Sequence, residues 1–403
     1  MTTNHSLATP YSKEKSNPRN LHAEPAQIDQ NKAESLNADI SPDSAEYQDI
    51  YKKLFGSLPR NVGSESTHEH AHDKSENDSV STLKIFDHGI VKELSERPSI
   101  GREERKFYSS LLPEHAEKPL IVPTDETFAR FEKLFVDFPN AEELLNYVQD
   151  FLHLRSISSN KPIYLPAVLI AGQPGIGKTQ IVTSICKALD VEYGFYDFSS
   201  ASSSWGLTGQ DSGWNGSHIG LVARKLLYGK CANPILHLDE LCKGIVNLNT
   251  DPYLALHTLL ERPQMRQFHD AYAQNLPINA SYVSFFATAN NLQAIAPSVL
   301  SRFRIIEMQP PSPSQMRHIA GNMYRLKLLE EGVDQAFCPT LDEPVVDYFL
   351  NKTPREAGLI LARGIASAAK RKPEIGSLRV LRLEDLSDCA VQETQERKVG
   401  FVW

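Results

Sequence analysis

Residues 172–179 read Gly-Gln-Pro-Gly-Ile-Gly-Lys-Thr, and no other stretch of the chain restricts its fold so tightly. Three glycines in six positions let the backbone curl until its N–H groups converge on an anion. The apolar run PAVLIA at 166–171 precedes it and reads as a short buried strand. Apolar residues at helical spacing follow from Lys178 to about Leu189. A glycine-rich turn between a strand and a helix N-terminus is the pattern of a nucleotide phosphate loop. On this reading Gly172, Gln173, Pro174, Gly175, Ile176 and Gly177 wrap the phosphates. Lys178 reaches the β- and γ-phosphates, Thr179 ligates Mg2+, and Gln180 in the first helical turn completes the cofactor-binding set. The expected cofactors are ATP and Mg2+. The plainer alternative, a chance glycine-rich turn, leaves the flanking strand and helix unexplained.

A second pattern supports the first. Residues 235–240, Ile-Leu-His-Leu-Asp-Glu, form an apolar strand that ends in two acids. Asp239 at the strand tip suits Mg2+, held through water, and Glu240 suits orienting and polarising an attacking water. Without the glycine loop, an acidic strand-to-helix cap would be the simpler reading. A third run, Phe285-Phe-Ala-Thr-Ala-Asn290-Asn291, places polar side chains at the end of another strand, where Asn290 could position that water opposite Glu240. Thr and Asn also make ordinary turn caps, so this pattern is weak alone. Arg302, in Ser301-Arg-Phe-Arg304, follows closely. It is either a solvated surface charge or an arginine finger that reaches a neighbouring subunit's γ-phosphate.

The rest of the chain divides by texture. Residues 1–100 are rich in Ser, Asn, Asp, Glu, Lys and His, with apolar residues too sparse to offset the entropy of ordering. A largely disordered leader is expected there, with two helical islands at 45–58 and 81–94. Three alternating histidines, His68, His70 and His72, sit in that leader and read as a solvated polar segment rather than a metal site. Residues 101–160 carry helical periodicity, with Asn140 as the N-cap of the last helix. Residues 161–310 alternate strands and helices, which requires a parallel α/β sheet with helices on both faces. Residues 311–403 read as a small all-helical lid followed by a tail. The net charge of −8 offers no global basic field for nucleic acid. Five cysteines without a CxxC pair point to reduced thiols. There is no apolar leader and no stretch of the roughly 20 apolar residues that a membrane span needs. A soluble cytoplasmic protein without membrane partners is expected.

Taken together these motifs resemble the AAA+ ATPases and, within them, the ATPase module of Lon proteases. The similarity runs over residues 167–306 and more weakly to about 370. It includes 238–243 (LDELCK), 251–261 (DPYLALHTLLE) and the strand that ends at Asn290. The resemblance implies that Asn290 is sensor 1, that Arg302 is the arginine finger, and that six identical subunits form a ring. Modules of this kind carry an aromatic residue on a glycine-flanked loop facing the pore. In the segment 203–216, Trp214 falls at that place, and Trp205 is the weaker candidate. The competing reading makes both tryptophans core anchors. For sensor 2, matching Arg355-Glu-Ala-Gly to the Lon string puts Ile360 where Lon has its arginine. Matching Thr353-Pro-Arg355 to the Ser-Pro-Arg string of MoxR-type ATPases makes Arg355 the sensor, and that alignment is preferred. The chain ends at Trp403, so neither a Lon peptidase domain nor Lon's large N-terminal domain is expected; the pattern is similar to stand-alone bacterial Lon-related ATPases.

Three outputs of such a motor stay open. The first is remodelling of a protein substrate threaded past Trp214. The second is a nucleic-acid motor or loader, disfavoured because no Lys or Arg lies near the loop before Arg224. The third is a nucleotide-gated switch or scaffold.

Overall fold

Strands that are apolar at successive positions must be covered on both faces, so they occupy the middle of a sheet packed between helices. The computed structural model describes residues 81–157, 161–201, 203–214, 216–246, 251–372 and 378–387. In chain order it begins with β1 (Thr82–Lys84), α1 (His88–Glu96), α2 (Arg102–Ser110) and β2 (Glu117–Pro119). β1 and β2 pair antiparallel. Helices α3 (Asp125–Asp137) and α4 (Glu142–Ser156) follow. The central unit then runs β3 (Val168–Ala171), α5 (Lys178–Leu189), β4 (Tyr193–Asp197), α6 (Trp205–Thr208), α7 (Leu221–Tyr228) and β5 (Ile235–Asp239). It continues through α8 (Leu256–Leu259), a small ribbon of β6 (Phe268–His269) and β7 (Pro277–Ile278), then β8 (Ser284–Ala289), α9 (Pro297–Leu300) and β9 (Arg304–Glu307). The lid comprises α10 (Pro313–Glu330), α11 (Glu343–Phe349), α12 (Pro354–Lys370) and α13 (Leu383–Ser387).

The sheet order is β4-β5-β8-β3-β9, and every pairing is parallel. The alternation of a strand sends Val168, Ile170, Ile235 and Phe286 to one face, against Phe131, Leu145 and Ile185. Leu169, Leu236, Leu238, Phe285 and Ala287 go to the other face, against Leu226 and Phe198. With all five strands parallel, their C-terminal ends share one edge. The glycine loop, Asp239 and Asn290 are therefore neighbours there, although far apart in sequence.

The expected α/β core and helical lid are both present, and three local details differ from expectation. Residues 81–94 begin with a strand rather than a helix. Ile85, Phe86, Val91, Leu94 and Ile100 are buried in the main core, so the packed structure begins well before residue 101. The rest of the expected leader, with the 45–58 island and the histidines at 68–72, lies outside the described residues. Asn140 does not cap α4, whose N-cap is Ala141 without a side-chain bond. Asn140 lies inside the short 3-10 turn Pro139–Ala141, and its amide nitrogen donates to the carbonyls of Ile176 (3.3 Å) and Gln309 (3.1 Å), which ties this turn to the glycine loop and to the segment after β9. Among the described residues no helix is long and apolar enough to cross a membrane.

The lid has its own core around Met316, Tyr324, Phe349 and Leu361. It rests on the base of α3: Gln315 donates to the Pro139 carbonyl at 2.9 Å and Asn322 to Asp137 at 3.1 Å. The segment before β3 is clamped by the buried Asn233. Asn233 accepts from Ile121 N–H (2.9 Å) and donates to the carbonyls of Ile121 (2.8 Å) and Ile163 (2.9 Å). Replacing it by Leu leaves these backbone groups unpaired in a dry interior. Asn233→Leu is expected to lower unfolding stability by about 2–3 kcal/mol, read as a lower denaturant midpoint at unchanged m.

Candidate nucleotide-binding site

Gly177 adopts φ = +104°, open to glycine and hostile to side chains, and serves as the N-cap of α5. The turn aims the helix's first N–H groups and Lys178 at the concave loop. Gly175 (φ = +83°) sits so close to the lid that an added Cβ would lie 3.3 Å from Arg355 Cβ. Within the loop Ile176 is buried, whereas Gln173 and Pro174 are exposed, as are Thr179 and Gln180 at the start of α5.

The Lys178 ammonium is buried and donates to three acceptors: the carbonyls of Gly172 (2.8 Å) and Gln173 (2.7 Å), and Asn290 Oδ1 (2.8 Å). Burial pushes its pKa below the usual lysine range, with Arg355 adding to that and Asp239 opposing it most strongly. Asn290 thus meets Lys178 directly, because β8 lies beside β3 in the sheet.

On the other flank of β8, Thr179 Oγ1 donates to Asp239 Oδ1 at 3.1 Å. Thr288, two residues before Asn290, also donates to Asp239 Oδ1 and accepts from the Glu240 backbone N–H at 3.0 Å. One buried hydroxyl therefore fixes both acids. Glu240 is one of two non-glycine residues with positive φ (+52°) among the described residues, a strained backbone where the chain turns off β5. Its carboxylate pairs with Lys243 at 2.6 Å. The Cys242 sulfur accepts from the Asn290 backbone N–H at 3.4 Å. Thr288, Cys242 and Asn140 are contributors whose place here the motifs did not assign; Thr288 stood out only as a polar residue in an apolar strand, and Asn140 was expected to cap a helix instead.

Mg2+ prefers hard oxygen donors and keeps most of its waters. The Thr179 hydroxyl and the Asp239 carboxylate, adjacent at the mouth of the loop, fit that chemistry. Arg355 approaches through its backbone N–H, which donates to the Gly175 carbonyl at 3.1 Å. This places the start of α12 against the glycine loop.

Arg302 is not brought to this edge. Arg304 pairs with Val168 at the start of β3, so Arg302 lies beyond the opposite, N-terminal edge of the sheet. The strand alone separates the two edges by roughly 10 Å. Its contacts are Glu261 (Nε to Oε1, 3.6 Å) and the Ser298 carbonyl (2.5 Å).

Trp214 is 68% exposed and Trp205 49% exposed, so neither is a core anchor. The loop carrying Trp214 is turned by Asp211, whose side chain accepts from Gly213 N–H at 2.8 Å. Its base is latched by the buried Asp270, which accepts from the N–H groups of Gly220 (2.8 Å) and Tyr272 (3.0 Å). Burial raises the Asp270 carboxyl to about 6 against those bonds.

Residues 168–311 match the family described as "ATPase family associated with various cellular activities (AAA)". Among curated proteins, the chain is 31% identical over 207 residues to the peroxisomal Lon protease homolog 2 of Oryza sativa subsp. indica, covering 51% of this chain and 23% of that protein. It is 29% identical over 236 residues to the Lon protease of Lachnoclostridium phytofermentans, covering 56% of this chain and 29% of that protein. The chain thus spans about a quarter of the length of these relatives. Among solved structures, a closed-state reconstruction of Hsp104 with ATPγS and FITC casein aligns with a TM-score of 0.49 at 17% identity, covering 61% of this chain and 48% of that one. Residues 168–311 are an AAA domain, and the ATPase region around them is similar to that of the Lon proteases.

Proposed function

We propose that the protein is an ATP-hydrolysing ring motor that remodels protein substrates through a central pore. The observation that carries the hydrolytic part is the convergence at one sheet edge of Lys178, Asn290, Thr179, Asp239 and Glu240. Lys178 holds the terminal phosphates once its ammonium exchanges the loop carbonyls for phosphate oxygens. Thr179 and Asp239 hold Mg2+, which supplies charge neutralisation on the phosphate oxygens when bound. Glu240, released from Lys243, accepts the proton of the attacking water, and Asn290 orients that water from across the cleft. Arg355, at the start of α12, reports phosphate occupancy to the lid.

The position of Arg302 beyond the far edge of the sheet supports action on a neighbour's nucleotide. That makes assembly, as a ring of six by analogy with the resembled family, part of the mechanism. Exposed Trp214 on a glycine-flanked loop suits sequence-tolerant contact with an extended polypeptide. Residues 205–223 contain no Lys or Arg, which leaves the loop without the charge needed to track a phosphate backbone.

Three experiments test this reading. Lys178→Ala is expected to abolish ATP binding, whereas Glu240→Gln binds ATP and turns it over at least a hundredfold more slowly, on the order of the loss of a general base. Equal phosphate release from Glu240→Gln and wild type contradicts the assignment. Arg302→Ala is expected to bind nucleotide normally and fail to hydrolyse it; mixing it with Lys178→Ala subunits restores part of the activity only if the arginine acts between subunits. Unfolded casein is expected to stimulate wild-type ATPase and leave Trp214→Ala unstimulated at an unchanged basal rate, and equal stimulation of the two counts against the pore role.

A further inference from the structure

Two residues before Asp239, on the same face of β5, lies a polar side chain that none of these steps uses. His237 is fully buried. Its Nδ1 is 2.9 Å from the Tyr193 hydroxyl on β4, and the Phe195 ring stands edge-on to it at 5.6 Å. Its Nε2 has no hydrogen-bond partner among the described residues and lies 3.5 Å from Asp239 Oδ1. A buried ring nitrogen without a partner is unfavourable where an apolar side chain would pack freely. The facing carboxylate selects the tautomer, because a lone pair on Nε2 would be repelled by Oδ1. The proton therefore sits on Nε2, and the Tyr193 hydroxyl donates to Nδ1.

Resting on the reading of Thr179 and Asp239 as the Mg2+ site, we propose that His237 is a positioning residue for the metal-holding carboxylate. Asp239 Oδ1 takes hydrogen bonds from Thr179 and Thr288. A hydroxyl lone pair given to Mg2+ would leave the Thr179 proton on Oδ1. A closure of roughly half an ångström would bring Nε2–H into hydrogen-bond range as a further donor to Oδ1. Oδ1 would then be held from α5, β8 and β5, which would leave Oδ2 a fixed direction. Outer partners of this kind set metal affinity by holding the ligand still.

The test is titration of Mg2+ into the full chain holding a fluorescent, non-hydrolysable ATP analogue. His237→Leu is expected to need about tenfold more Mg2+ at half-saturation, with nucleotide affinity in EDTA unchanged. His237→Gln, which returns a donor near the Nε2 position, is expected to recover most of the loss. Wild-type Mg2+ dependence in His237→Leu, or a His237→Gln protein as weak as His237→Leu, overturns the proposal. Should His237→Leu fail to fold, Tyr193→Phe decides: a weaker shift in the same direction supports the role, and no shift overturns it. Asp239→Asn keeps the two readings apart. Wild-type Mg2+ dependence in that protein removes the metal site itself, whereas loss there without an effect at residue 237 removes only the positioning role.

Discussion

A buried ammonium must be surrounded by acceptors, and the position of Lys178 makes that requirement the constraint around which the site is built. Two of its acceptors are carbonyls of the loop that it closes, and the third is Asn290 at the end of β8. Placing Asn290 there requires β8 to lie beside the loop strand β3, and in the sheet it lies between β3 and the acid strand β5. Once β8 is in that slot, Thr288 also falls beside Asp239 and the backbone of Glu240. The strand between loop and acids thus satisfies the lysine with one residue and sets the acids with another.

The same topology separates Arg302 from the other candidate site residues. Lys178, Thr179, Asp239, Glu240 and Asn290 converge at the C-terminal ends of the strands. Arg302 precedes β9 and so belongs to the other edge, where its side chain meets Glu261 and the Ser298 carbonyl. On the proposed reading, such a charge acts on a neighbour's nucleotide rather than its own. The lid enters through α12, whose first turn bonds the Gly175 carbonyl through the Arg355 N–H and leaves little room for a Cβ at that glycine. A change in the glycine loop therefore has a direct mechanical path to the lid.

Much of this was readable in the sequence because chemistry and periodicity agreed there. Helix α5 spans the expected residues, since a glycine starts it and Asp190 in the left-handed region stops it. The buried strands β3, β5 and β8 announced themselves as apolar runs. The flanking strands β4 and β9 did not, because they lie at the sheet edges, are partly exposed and mix polar with apolar residues. Asn140 looked like a cap because local pattern cannot reveal the 3-10 turn at Pro139–Ala141 that displaces it, nor the Ile176 carbonyl, 36 residues on, to which its amide donates. The strand at 82–84 was hidden for a similar reason: its partner at 117–119 is supplied by tertiary pairing. Thr288 and His237 gained meaning only from neighbours across the sheet.

The central claim is that one chain supplies the loop and acids while its neighbour supplies the arginine. The most direct measurement is phosphate release per subunit from Mg2+ and ATP, followed as the concentration of the purified protein is raised. The account predicts a rate per subunit that rises steeply as subunits associate and then levels off, with ATP binding already present at the lowest concentration. A constant rate per subunit across the whole range, with no change as the protein assembles, would contradict it.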